Sequence, residues 1–321
     1  MLILGERALI EAASKDELIS VIEGAMVTAE GNEFSLLYTT VSINNSDVLM
    51  LLPCVTRNAW GCKLLTMRPD NPKKGLPLID GVVAMFDGQT GAPTALLEGK
   101  AFTALRTGAV GGAGLKNIAP QDITSLGVIG AGIQGYWQAQ FGCAARKGIK
   151  EVWVYDHTER KLPAFAERLS AAIPQATVKI AKNTVEVLEN TQAVIAATTT
   201  KLPLFPNDEK LLAGHAFVGI GSYLPDMREF PDALFKLTGG DVYIDTPSAL
   251  EETGDLITPI ANGLLKRENV HTLGELISGK CKKESTTTLF KSVGMALCDV
   301  VAGAYVCEAA TRKGIGQKVD F

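Results

Sequence analysis

The sequence predicts an α/β protein of two domains, one a doubly wound parallel sheet covered by helices and the other an α+β unit. Three observations predict it. The 321-residue chain exceeds what one hydrophobic core ordinarily organises. From about residue 120, strand-like apolar runs alternate with helical patterns, the rhythm of a parallel sheet wrapped on both faces. Before that point, short strand-like runs follow one another with turn signals between them.

The elements follow in order. Ser14-Lys15-Asp16-Glu17 reads as a capping box, and Leu18, Ile22, Ala25 and Met26 then recur at helical spacing. Residues 36–41, 48–52 and 62–65 read as strands, separated by turns at Asn44-Asn45 and Trp60-Gly61. Residues 82–86 and 94–97 flank Asp87-Gly88-Gln89-Thr90-Gly91, a hairpin signal, so the N-terminal sheet is antiparallel or mixed. In the second region strands are expected at 125–129, 151–155, 177–181, 192–197, 216–220 and 242–245. Helices are expected at 136–147, 162–172 and 185–188, the last opened by Asn183 with Glu186. A final periodic stretch, 287–311, reads as a helix.

Composition bounds the function. Hydrophobic residues make up 46% and charged residues 21%, the balance of a soluble globular protein. A net charge of −4, with no basic run, argues against a nucleic-acid-binding surface. Glu6, Arg7, Glu11, Lys15, Asp16 and Glu17 interrupt any secretory apolar stretch, and no run of about 18 apolar residues suits a membrane span. Cys54, Cys62, Cys143, Cys281, Cys298 and Cys307 are scattered as free thiols are in a reducing cytoplasm. His157, His215 and His271 form no metal-ligand spacing. The expected location is cytoplasmic.

Residues 125–129 lead directly into Gly130-Ala131-Gly132-Ile133-Gln134-Gly135, and a helical stretch follows. This is G-x-G-x-x-G between strand and helix, the phosphate-binding turn of a Rossmann-type domain. Its first glycine allows the turn, its second lets the backbone approach a pyrophosphate, and its third lets helix and strand pack closely. Asp156 ends the next strand roughly twenty residues on, where a carboxylate accepts hydrogen bonds from the adenine ribose. That favours NAD over NADP, although Arg160 and Lys161 follow closely and suit a 2′-phosphate, so NADP stays open. Two cations stand in apolar surroundings elsewhere. Lys63 lies in Gly61-Cys62-Lys63-Leu64-Leu65, and Arg106 lies in Phe102-Thr103-Ala104-Leu105-Arg106-Thr107-Gly108. A guanidinium fork with a nearby ammonium suits a carboxylate. The competing reading is a structural ion pair with Glu98 or Asp87.

The sequence resembles the ornithine cyclodeaminase/mu-crystallin family, which includes archaeal-type alanine dehydrogenases and cyclic ketimine reductases. The resemblance rests on Gly61-Cys62-Lys63, Arg68-Pro69-Asp70-Asn71, Asp87-Gly88-Gln89-Thr90-Gly91-Ala92-Pro93 and Thr103-Ala104-Leu105-Arg106-Thr107. It continues through the glycine loop, residues 220–229, and Leu289-Phe290-Lys291-Ser292-Val293-Gly294. It implies a homodimer with a substrate-binding and dimerisation domain over 1–118, completed by a C-terminal helix within 287–321. A dinucleotide domain over 119–286 and an active site in the cleft are implied with it. It further implies that Lys63 and Arg106 hold a substrate carboxylate, with Arg106 also near the cofactor. Thr198 would contact the dinucleotide, with Ser222 and Ser292 also on the cofactor side. Two positions depart from the family pattern. Tyr223 stands where cyclodeaminases carry an aspartate that takes a proton from the substrate amine. The family's additional arginine has no equivalent between Ala8 and Thr56, and Arg57 is the nearest stand-in.

A phenol, ionising near pH ~10, is a poor base at neutral pH, so cyclodeamination loses its proton acceptor. Reduction of a preformed cyclic imine needs only a carboxylate clamp, a hydride and one proton, which Tyr223 can supply or relay. The expected activity is therefore NAD(P)H-dependent reduction of a cyclic ketimine carboxylate such as 1-pyrroline-2-carboxylate, giving proline. Ornithine cyclodeaminase, amino-acid dehydrogenase and a non-enzymatic mu-crystallin-like binding protein are the alternatives, in that order. The expected partner is a small amino-acid or imino-acid substrate.

Overall fold

The computed structural model describes residues 1–31, 34–36, 38–44 and 46–320. Asn45 of the expected 44–45 turn, and Leu37 within the expected strand 36–41, lie outside the described residues. The chain forms two compact units, Met1–Arg106 with Met295–Phe321, and Thr107–Gly294.

The first unit opens with β1 (Leu2–Leu4), α1 (Glu6–Ala12) and α2 (Lys15–Ala29). Ser14 caps α2 by accepting the Glu17 N–H. The reciprocal half of the box is relayed: the Ser14 N–H donates to the Tyr305 hydroxyl, which donates to Glu17. Strands β2 (Phe34–Leu36), β3 (Thr39–Ser42), β4 (Val48–Thr56), β5 (Ala59–Met67), β6 (Ile79–Asp87) and β7 (Pro93–Glu98) follow, and then α3 (Gly99–Ile118). The boundary between units falls inside α3, at Arg106/Thr107, not after residue 118.

Trp60 and Gly61 form no turn; they lie within β5. The bend is at Arg57-Asn58, where the Thr56 hydroxyl accepts the Ala59 N–H and donates to the Ala59 carbonyl. Gly61 serves packing instead, since a Cβ there would sit 2.9 Å from Val300 on the C-terminal helix.

The second unit contains β8 (Ser125–Ile129), α4 (Ile133–Ala145), β9 (Glu151–Tyr155), α5 (Leu162–Ala172), β10 (Thr177–Ile180), α6 (Thr184–Asn190) and β11 (Ala193–Ala196). It continues with α7 (Glu209–Leu212), β12 (Ala216–Gly219), α8 (Asp232–Leu237), β13 (Val242–Ile244), α9 (Ala249–Glu252) and α10 (Gly254–Ala261). β14 (Val270–Thr272), α11 (Leu273–Ile277) and β15 (Thr288–Lys291) complete it. The strands pair in parallel in the order β10-β9-β8-β11-β12-β15-β13-β14. Order reverses between β8 and β11, and ligands of such sheets bind at that switch point, beyond the strands' carboxyl ends. Core side chains such as Val194, Phe217, Phe230 and Leu289 are buried against the helices.

The chain returns to the first unit with α12 (Ala296–Lys313) and β16 (Gln317–Lys318). The single helix expected over 287–311 is therefore a strand followed by a helix. Thr287-Thr288-Leu289-Phe290 is mostly β-branched and aromatic, and buried at every position it lacks the in–out alternation that marks a half-buried strand. In the first unit the sheet runs β16-β1-β7-β6-β5-β4-β2, with β3 paired to β4. It is mixed, because β1 runs parallel to β7. α12 packs on β4, β5 and β6.

Candidate active site

In the first unit two cations from distant elements converge on one acid. Lys63 on β5 faces the α12 side of the sheet, in register with Val83, which is buried, and with Leu52. Its Nζ lies 2.8 Å from Asp299 Oδ2, and Nε of Arg106 on α3 lies 2.7 Å from Asp299 Oδ1. The three side chains are 3%, 8% and 2% exposed, respectively, for Lys63, Arg106 and Asp299. Asp299 sits in the first turn of α12, where the helix dipole favours a negative charge.

Burial, followed by the like charge of Arg106, depresses the Lys63 ammonium to about 8 against the opposing pull of Asp299. Holding two cations together out of water is costly, and such perturbed groups concentrate at functional sites. The ion pairing that the competing reading expects is present, with Asp299 as the acid in place of Glu98 or Asp87. Glu98 caps α3 by accepting the Ala101 N–H, and Asp87 accepts N–H groups of Gln89 and Thr90 in its hairpin. Sequence reasoning misses Asp299, although it is the one charged residue between Ser292 and Cys307, a stretch of apolar and small residues.

The second unit holds a crevice of about 530 Å³ at the β8/β11 switch point, lined by Gly130, Gly132, Asp156, Lys161, Thr198 and Leu204 among others. Each glycine of the loop has a separate reason. Gly130 has φ +109°, and a Cβ there would press on the Ala197 carbonyl; a Cβ at Gly135 would collide with the Gly130 carbonyl. Gly132 faces open space. It is also the N-cap of α4 and supplies no capping side chain, so the start of that helix suits a phosphate. Ile133 is exposed, and Gln134 Oε1 is buried without a hydrogen-bond partner among the described residues. An open cradle, an uncapped helix start and an orphaned polar atom fit a dinucleotide.

Asp156 braces this loop: its carboxylate accepts the Ala131 N–H at 2.7 Å and the Thr158 N–H at 2.7 Å. Burial works to raise its pKa, but these N–H groups and the charges of Lys161 and His157 hold it below the usual carboxylate range. Thr198 lines the crevice while its N–H and hydroxyl donate to Glu229.

The two serines are elsewhere engaged. Ser222 is fully buried, with its hydroxyl donating to the Met227 carbonyl and lying 2.5 Å from that of Thr253. Ser292 is buried and donates to Asp245 at 2.6 Å. Both brace loops, and neither lines the crevice. Tyr223 is 38% exposed on the loop after β12. The described residues contain no cluster of metal-ligating side chains and no helix long and apolar enough to cross a membrane, and the described cysteines are free thiols.

The family model for ornithine cyclodeaminase/mu-crystallin matches residues 2–314. A Delta(1)-pyrroline-2-carboxylate reductase of Bacillus cereus (strain ZK / E33L) is 35% identical over 284 residues, covering 87% of this chain and 86% of its own length. An alanine dehydrogenase of Archaeoglobus fulgidus is 28% identical, covering 100% of this chain and 98% of its own. The solved structure of Thermococcus litoralis Delta(1)-pyrroline-2-carboxylate reductase in complex with NADH and L-proline matches with a TM-score of 0.90 at 29% identity. It covers 99% of this chain and 100% of that one. The chain belongs to the ornithine cyclodeaminase/mu-crystallin family.

Proposed function

We propose that this protein is an NAD(H)-dependent oxidoreductase that reduces a cyclic ketimine carboxylate, with 1-pyrroline-2-carboxylate as substrate and proline as product. The observation that carries this reading is the buried pairing of Lys63 and Arg106 around Asp299, two cations gathered where an α-carboxylate would be held. The similarity to two proteins named Delta(1)-pyrroline-2-carboxylate reductase, one of them in complex with NADH and L-proline, supports it. When bound, the reduced nicotinamide supplies a hydride. Lys63 and Arg106 bind and orient the substrate carboxylate, with Asp299 holding both cations in place. The Tyr223 hydroxyl donates or relays the proton that the ring nitrogen requires. Gly130, Gly132 and Gly135 give the pyrophosphate its approach, with the backbone at Ile133 and Gln134 opening the helix toward it. Asp156 receives the adenine ribose. Because its carboxylate stays ionised, a 2′-phosphate is disfavoured, and NAD is preferred to NADP.

The outer face of the first unit's sheet supports a homodimer. Val55, Trp60 and Val82 project there and are 36–43% exposed, beside Leu51, Leu64 and Phe86. A contiguous apolar sheet face of this kind suits a second copy related by a two-fold axis.

Quenching of protein fluorescence by NADH, followed by its consumption when the imine is added, tests the enzymatic reading. Binding without consumption of any ketimine would favour a ligand-binding protein instead.

A further inference from the structure

The second unit buries another charged cluster that dinucleotide and substrate recognition leave unused. Lys291 at the end of β15, Glu229 in the loop after β12 and Asp255 in the first turn of α10 are all fully buried. Lys291 Nζ lies 3.8 Å from Glu229 Oε2 and 3.5 Å from Asp255 Oδ2. The Glu229 carboxylate receives four hydrogen bonds. Oε1 accepts the Thr198 N–H at 2.8 Å and the Thr198 hydroxyl at 2.9 Å; Oε2 accepts the N–H groups of Gly221 at 2.9 Å and Ser222 at 3.1 Å. Asp255 accepts the N–H groups of Glu229 and Phe230, which fixes the loop carrying the glutamate.

One side chain thus joins the segment after β11, which lines the crevice, to the segment after β12, which leads to Tyr223. The two run in backbone contact: a Cβ at Gly221 would collide with the backbone of Thr198. Convergent N–H groups in a sealed space need an acceptor, and an ionised carboxylate serves all of them at once. A protonated acid or an amide would turn a donor toward donors. Burial pushes the Glu229 carboxyl up and Asp255 adds to this, while the ammonium of Lys291 pulls it back. Three ions out of water confer little net stability over apolar packing, so their arrangement calls for another explanation.

We propose that Glu229 is a positioning residue for the dinucleotide crevice, clipping Thr198 to Gly221 and Ser222, with Lys291 and Asp255 holding its ionised carboxylate in place. This rests on the proposal that the crevice receives NAD(H). Among the described residues, Lys291 from β15 and Asp255 from α10 are the charged groups paired with or facing Glu229.

The test uses the full chain, with NADH affinity read by fluorescence from about pH 6 to 9 and amide exchange at Gly221 and Ser222 read without dinucleotide. Lys291→Met should bind NADH about tenfold more weakly at the acid end and recover toward the alkaline end, while the unaltered protein stays flat. Glu229→Gln, which turns an amide donor toward these N–H groups, should lower protection of Gly221 and Ser222 in the dinucleotide-free protein, a change that loss of a direct cofactor contact would not produce. Wild-type protection in a folded Glu229→Gln overturns the inference, as does a folded Lys291→Met whose NADH affinity is unchanged and flat with pH. If the unaltered protein fails to bind NADH, the functional reading falls instead, and the exchange result still decides whether Glu229 clips the two segments together.

Discussion

At the scale of single residues, a lysine ammonium held at about 8 beside a guanidinium is the most informative group in the molecule. A cation with a depressed pKa loses its charge as pH rises through that value, and its grip on a carboxylate goes with it. The expected kcat/KM for the imine therefore falls above about pH 8, and in Lys63→Arg, which stays charged, that alkaline limb is absent. A pH–rate profile that keeps the same limb in Lys63→Arg would assign it to another group. Removing Arg106 as alanine should raise the barrier that kcat/KM reports by roughly 2–5 kcal/mol, the cost of leaving a desolvated carboxylate without its guanidinium. Both cations were legible in the sequence because charge in an apolar run stands out. Their shared partner was not, because Asp299 lies at the other end of the chain, and only the fold of α12 onto β5 brings it 2.8 Å from Lys63. For the two serines the sequence leaves two roles open. A hydroxyl near a strand end suits a cofactor or a loop brace equally well, and packing alone turns Ser222 inward.

At the scale of elements, the glycine loop separates folding from function. Gly132 faces open space, so Gly132→Ala should leave the thermal midpoint nearly unchanged while weakening NADH binding about tenfold or more by obstructing the pyrophosphate. Gly135→Ala should lose both binding and stability, because its Cβ would meet the Gly130 carbonyl. Calorimetry beside a fluorescence titration distinguishes the two; equal destabilisation would contradict this division. The strands and helices around the loop were legible at their boundaries: β8 at 125–129, β9 at 151–155 and α5 at 162–172. β9 alternates in burial and Pro163 opens α5, while β8, buried throughout, is marked by the glycine turn that follows it. Legibility failed where the pattern is silent. β15 is buried on both faces and carries no alternation, so nothing in its pattern separates it from the helix after it. Trp60-Gly61 resembles a turn locally, yet the glycine is there to admit Val300.

At the scale of the whole molecule, the bare apolar face of the first unit's sheet predicts association. Trp60→Glu with Val82→Lys should convert a dimer to a monomer by light scattering, and an unchanged mass would place the contact elsewhere. Belonging to a family of several reactions leaves the choice among them to the site, and the proposal against cyclodeamination rests on the resemblance that sets Tyr223 where a cyclodeaminase would carry an aspartate. The direct measurement is kcat/KM for NADH-dependent reduction of 1-pyrroline-2-carboxylate against ammonia release from ornithine, in one preparation. Imine reduction should dominate by orders of magnitude; ammonia release from ornithine at comparable efficiency would contradict the assignment.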